Sequence, residues 1–318
     1  VSARKAVAIV GQQKTGDVDF TNIQEAIDKV YGQGGGDVFI RSERTDYKTT
    51  SQIILKDGVN LIGEDAQTTV LNFMNGALGI TYLSQNTPTG LRIENLSITN
   101  TADYALDLTI TPTFIDTYVS QQAPISIRNL VIRDCRYGIE LTLTAGQAPR
   151  SILENCSVSV SEIALSLLTN SPLKVNKNFL SGDVGIDLVA VQKLSCSQND
   201  IYTAGTNSNA FWVRTTGLLY DSSFTDNYVD ECINGFYLQS SSLLGVLRNS
   251  FVGNKVPSAV GGYPMYLDEA LGNTVVANAF SGSNSTTLTA NSSSNIVVAN
   301  RASVSNLGAG NQVANNTI

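Results

Sequence analysis

Histidine is absent from all 318 residues. Without an imidazole there is no Ser-His-Asp or Cys-His catalysis, no histidine metal ligand and no histidine pH switch. Charge is scarce as well, at 15% of residues, and the 20 lysines and arginines are scattered rather than gathered into a stripe. Against 27 acidic residues they leave a formal charge of -7 and a pI near 4.7. Nucleic acid, whose binding needs a basic footprint on phosphates, is excluded as a partner. No apolar run is long enough to cross a bilayer, and no charged start precedes an apolar h-region, so no membrane insertion is expected. The four cysteines, Cys135, Cys156, Cys196 and Cys232, form no CxxC and lie at least 21 positions apart. They read as buried single thiols that serve as small apolar residues.

What is abundant is Ser, Thr, Asn and Gly beside 42% hydrophobic residues, the palette of many short strands joined by turns. Residues 4–10 (RKAVAIV) read as a strand. In FTNIQEAIDKVYGQGGGDVFI, Ile23, Ala26, Ile27, Val30 and Tyr31 recur at helical spacing. Thr21 is the expected N-cap, with Gln24 three residues on at capping-box spacing, and Gly32 and Gly34 to Gly36 end the helix. This helix, over 20–32, is suited to cover the open apolar end of a stacked structure.

From residue 91 the chain repeats. LRIENLSITNTADYALDLT, ISIRNLVIRDCRYGIELTLT, SILENCSVSVSEIALSLLT and VNKNFLSGDVGIDLVAV each hold a short strand, an Asn, a second strand, a turn and a third strand. The markers Asn95, Asn129, Asn155, Asn178, Asn199, Asn227, Asn249, Asn278 and Asn300 fall 21 to 34 residues apart, close to one solenoid coil. Asn suits such a corner because it tolerates left-handed backbone and its amide bonds neighbouring groups. Asn amides stacked coil on coil form a ladder.

This pattern resembles the pectate-lyase-like β-helix superfamily, whose Asn ladder occupies a tight turn between two of three sheets, and the opening VDFTNIQEAIDKVYGQGGGDVFI with KDGVNLIGE resembles that of viral tailspikes. The resemblance implies an all-β, right-handed three-sheet parallel β-helix with an N-terminal capping helix. One domain is expected over 1–318, with the cap in 1–50, coils in 51–300 and a thin end in 301–318. It also implies an extracellular, cell-surface or virion location, and parallel homotrimers as in tailspikes. Val1 in place of Met leads to the expectation that a leader or upstream domain has been removed. The thin last coils are expected to be continued by further chain or covered by other subunits.

In register, the third strands ALDLT, GIELT, ALSLL, GIDLV, AFWVR, GFYLQ and PMYLD send Leu106, Leu108, Ile139, Leu141, Phe236 and Leu238 inward. The middle residues then face outward: Asp107, Glu140, Ser166, Asp187, Trp212, Tyr237 and Tyr266, with a second column of Thr109, Thr142, Leu168, Val189, Arg214, Gln239 and Asp268. Trp212, Tyr237 and Tyr266, with Arg214 and Gln239, are the expected substrate-binding residues, since exposed rings stack on sugar rings. A polysaccharide or cell-surface glycan is the expected partner. Protection of the sheet or packing between subunits would explain the same aromatics.

Asp107, Glu140 and Asp187 are the candidate catalytic residues. Asp107 and Glu140 lie one coil apart, about 5 Å, the separation of a retaining glycosidase pair, and Glu140 and Asp187 lie nearer 10 Å. Idle solvated carboxylates would look the same in sequence. A cluster before the third strands, Asp134, Glu162, Asp183, Asp230 and Glu231, would hold Ca²⁺ if its oxygens converged, with Asp183, Asp230 and Glu231 the candidate ligands. No other cofactor is implied. The basic and His-containing motifs of pectate lyases, and the Asp and Gly-His-Gly motifs of polygalacturonases, are missing. A glycoside hydrolase is therefore favoured over a lyase, with a noncatalytic receptor-binding protein, an adhesin or a structural fibre as the other readings.

Overall fold

The structure, a computed structural model, describes residues 6–13, 16–84, 89–110, 123–144, 151–205, 208–241, 245–282 and 284–316. The chain divides into two compact units, Val1–Val160 and Ser161–Ile318. In each, it winds as a right-handed parallel β-helix with three sheets, named here first, second and third in the order a coil visits them.

In the first unit the capping helix spans Ile23–Gly32 and buries Ile23, Ala26, Ile27 and Val30. Its N-cap is Asn22 rather than Thr21: the Asn22 side-chain oxygen accepts the Glu25 amide hydrogen at 3.1 Å. Gln24 does not turn back to close a capping box. Its amide instead donates to the Ile54 carbonyl and accepts the Ile54 N–H, tying the helix to the first strand of the third sheet. Tyr31, expected on the apolar face, is 51% exposed. Past the helix, Gly34 and Gly35 take φ of 91° and 93°, which residues with a Cβ rarely adopt.

The first sheet of this unit starts from Ala6–Val10 and Gly36–Ile40 and adds one parallel strand per coil as far as Ser151–Glu154. Its inward column of Val38, Leu61, Ile93, Ile127 and Leu153 is fully buried. Each such side chain contributes roughly 1.5–3 kcal/mol by leaving water. The third sheet holds Ile53–Ile54, Ile80–Ser84, Tyr104–Ile110 and Tyr137–Leu143.

The third sheet of the second unit holds Ile163–Thr169, Val184–Gln192, Asn209–Tyr220, Asn234–Leu238, Met265–Leu267, Thr286–Leu288 and Val304–Asn306. Here the core stacks rings coil on coil, Phe211 on Phe236 at 4.4 Å and Phe224 on Phe251 at 5.0 Å. Its second sheet runs from Phe179–Ser181 through Asp200–Tyr202, Tyr228–Asp230 and Lys255–Ala259 to Ala279–Gly282.

The corner between first and second sheets is built differently in the two units. Asn95, Asn129 and Asn155 take the left-handed φ themselves (60°, 52° and 56°), and the next residue, Leu96, Leu130 or Cys156, is buried. In the second unit Lys177, Gln198, Asp226, Gly253, Ala277 and Ala299 take it, and the next residue is a buried Asn. Asn178, Asn199, Asn227, Asn254, Asn278, Asn300 and Asn316 form a ladder there, each side-chain oxygen after the first accepting from the preceding Asn. Asn249 is not in it. It stands at the corner before the first sheet, in a second ladder with Asn273, Asn295 and Asn311. Two ladders of one residue type lie interleaved along the chain, so spacing alone assigns Asn249 to the wrong corner.

Candidate functional site

In the first unit the expected carboxylate pair is formed. Asp107 and Glu140 are register partners on adjacent strands of the third sheet, with side chains half-buried on its outer surface. The Thr109 hydroxyl donates to Asp107 at 3.2 Å. Burial raises the Asp107 carboxyl above the ordinary carboxylate range, with Asp103 adding to the effect against the Thr109 hydrogen bond. Three residues upstream on the same strands, Tyr104 and Tyr137 are also register partners and stack at 4.8 Å. The Arg136 guanidinium lies over the Tyr137 ring at 4.9 Å. This aromatic pair at the start of the same strands was legible, because YALD and YGIE repeat the same spacing.

In the second unit Asp187, Trp212, Tyr237 and Tyr266 pair across consecutive strands, as the repeat predicts. Tyr237 and Tyr266 stack at 5.0 Å with 19° between their planes, and Tyr263 leans on Tyr266 at 5.1 Å. Burial raises both Tyr237 and Tyr266 above the ordinary phenol range.

Asp187 is not the solvated carboxylate expected. It is 0% exposed and carries a two-pronged ion pair: Arg214 Nε donates to Oδ1 at 3.1 Å and Nη2 donates to Oδ2. Burial still raises its carboxyl above the usual range, with Arg214 pulling the other way. The same guanidinium sits 5.0 Å from the Trp212 ring centre and keeps 46% of its side-chain surface open.

The second outward column is also displaced. The ladder passes from Leu167 to Leu188 to Val213, then resumes at Leu168, Ala190 and Leu218, so Val189 and residues 214–217 bulge out of it. Arg214, the first residue of that bulge, folds back over Asp187. Gln239 lies just past its strand, half-buried, and Asp268 accepts the Thr289 hydroxyl.

Asp183, Asp230 and Glu231 are not brought together into a Ca²⁺ site. Asp183 and Glu231 are exposed in separate turns, while Asp230 accepts from the Tyr228 hydroxyl and the Glu231 N–H. Among the described residues no three His, Cys, Asp or Glu side chains converge as metal ligands. Among them, too, no helix is long and apolar enough to cross a membrane.

The model of a protein family described as NosD, periplasmic copper-binding protein, matches residues 59–262. No curated protein matches the chain in sequence. Among solved structures, the A-module of the Azotobacter vinelandii mannuronan C-5 epimerase AlgE6 is similar, at 14% identity over 93% of each chain with a TM-score of 0.57. So is the A-module of AlgE4, at 16% identity over 92% of this chain and 94% of that one, with a TM-score of 0.53. A mutant tailspike protein of E. coli bacteriophage HK620, in complex with a pentasaccharide, matches at 14% identity over 92% of this chain and 60% of its own, with a TM-score of 0.54. At these identities the likeness is one of fold.

The residues present do not fit copper. Copper sites draw on imidazole, thiolate or thioether donors, which must be unprotonated and gathered. There is no histidine. All four thiols are buried, and burial pushes Cys156 and Cys232 up to about 12 and raises Cys135 and Cys196 as well. Of the two methionines, Met265 is fully buried, and Met74, half-buried, belongs to the other unit.

Proposed function

The chain belongs to the NosD family, and from that premise we propose a protein that binds an extended polysaccharide or cell-surface glycan along its third-sheet surface, without copper chemistry. The observation that carries this reading is the row of Trp212, Tyr237 and Tyr266 on three consecutive strands, set at the strand spacing of about 4.8 Å. With the Tyr237 and Tyr266 faces stacked on each other, such a row presents the outer edges of its rings and their polar tips to a glycan, and Arg214 and Gln239 beside them offer hydrogen bonds to hydroxyls. The names of the similar structures support it: two act on mannuronan and one holds a pentasaccharide. In this reading Asp187 positions Arg214 and transfers no proton.

The test is calorimetric titration with a panel of neutral and acidic polysaccharides. Trp212→Ala and Tyr266→Ala are expected to weaken binding by roughly 3- to 10-fold each while the circular dichroism spectrum is unchanged. Full affinity in both variants overturns the reading.

A second reading, hydrolysis, is favoured by the Asp107–Glu140 pair, with Asp107 as general acid and Glu140 as nucleophile at retaining separation. Release of reducing ends that disappears in Asp107→Asn and Glu140→Gln supports it. No turnover on any glycan that binds leaves a receptor-binding, adhesin or spike-like protein. An extracellular, cell-surface or virion site and a homotrimer complete the proposal, and light scattering that returns a mass near 33.9 kDa rather than three times that overturns the trimer.

A further inference from the structure

The second sheet of the second unit carries a surface that the third-sheet reading does not use. Phe179, Tyr202 and Tyr228 form an outward aromatic row, with ring centres 5.3 and 6.5 Å apart and Phe179 39% exposed. Tyr228 is the register partner of Lys255, Lys255 of Ala279, and Ala279 of Arg301. Beyond the row lies a cavity of about 500 Å³ that Tyr228, Lys255 and Arg301 help to line, with Pro257 and Pro264 in its walls. Lys255 and Arg301 thus stand two strands apart, roughly 9.6 Å, with only the methyl group of Ala279 between them.

Sign is the informative feature. The chain as a whole is acidic, yet among the described residues no carboxylate lines this cavity and neither cation forms an ion pair. The nearby carboxylates, Asp200 and Asp230, lie on the aromatic side, where Asp230 accepts from Tyr228. Two like charges held around an empty step repel each other, and a bound anion would relieve both. Polar groups from Ser281, Asn284 and Ser303 complete the wall.

We propose that this surface is a second glycan site, which takes an oligosaccharide whose neutral sugars lie on the Phe179–Tyr202–Tyr228 row and whose one anionic residue enters the Lys255–Arg301 cavity. Stacking on aromatic faces serves the neutral part. Charge-assisted hydrogen bonds to a carboxylate, sulfate or phosphate ester serve the anionic one.

The test is an immobilised oligosaccharide panel in which each neutral member is matched by carboxylate-, sulfate- and phosphate-bearing counterparts, with the full chain as analyte. At least one anionic class is expected to bind about tenfold more tightly than its neutral match, and added salt should reduce that margin. The panel identifies which anion is preferred. Lys255→Gln with Arg301→Gln should abolish the margin, and Tyr202→Ala should weaken the anionic members further. Trp212→Ala should leave the margin intact, which separates failure here from failure of the third-sheet reading. The proposal is overturned if no anionic member exceeds its match, if the double variant keeps the preference, or if inorganic phosphate displaces the glycan at equal concentration. Circular dichroism of each variant confirms the fold, and Lys255→Arg, which keeps the charge, should retain binding.

Discussion

A carboxylate without exposed surface, such as that of Asp187, costs several kcal/mol to desolvate unless a cation caps it. Arg214 is that cap, and its removal strands the charge. Arg214→Ala is expected to cost about 2 kcal/mol of stability at neutral pH, below the range for a fully buried pair because Arg214 is half exposed. The sign with pH follows from a carboxyl raised above its unfolded value: its contribution is full below the unfolded pKa and is lost as pH rises through the folded one. Urea unfolding should therefore show a smaller deficit at pH 4 than at pH 7, and adding Asp187→Asn should restore part of the loss. An equal deficit at both pH values would falsify the assignment. The outward register of Asp187 was legible from alternation. The ion pair was not, because alternation gives the face a side chain leaves from and not the direction in which Arg214 folds along it.

At the scale of the corner, the same amino acid does two jobs. Asn254 is buried, its oxygen accepts from the backbone and side chain of Asn227, and its amide donates to Phe224 and Asn278. Asn254→Ala leaves several of these groups without partners in a dry interior and should cost roughly 2–4 kcal/mol. Asn129 instead holds φ of 52° at an exposed corner, where glycine is equally at ease. Asn129→Gly loses one exposed hydrogen bond, from Asn129 Nδ2 to Asn95 Oδ1 at 2.9 Å, and should cost under about 1 kcal/mol. Chemical unfolding of the two variants checks the contrast, and equal losses would show that the two corners work alike. The repeat announces that an Asn belongs near each corner. Whether it supplies the left-handed residue or the buried amide after it depends on a one-residue offset, which moves the Asn from the surface to the interior.

For the molecule as a whole, the disagreement between a copper-binding family and a chain without histidine has a direct test. None of the four cysteines should react with a thiol reagent such as DTNB in the folded protein, and all four should react in 6 M guanidinium. Rapid labelling of any of them in the native state would reopen soft-metal chemistry. Absence of histidine, sparse charge, the period near one solenoid coil and the in-out alternation of the third strands are properties of the chain itself. They determine the β-helix and the outward register of Asp107, Glu140, Trp212, Tyr237 and Tyr266, because a parallel sheet places like positions of successive coils side by side. The tertiary structure decided the rest: that Asp187 lies dry under Arg214, that Asp183, Asp230 and Glu231 stay apart, and that Lys255 and Arg301 share a cavity. Each of these turns on side-chain direction, turn geometry or the size of one intervening side chain, and none leaves a period in the sequence.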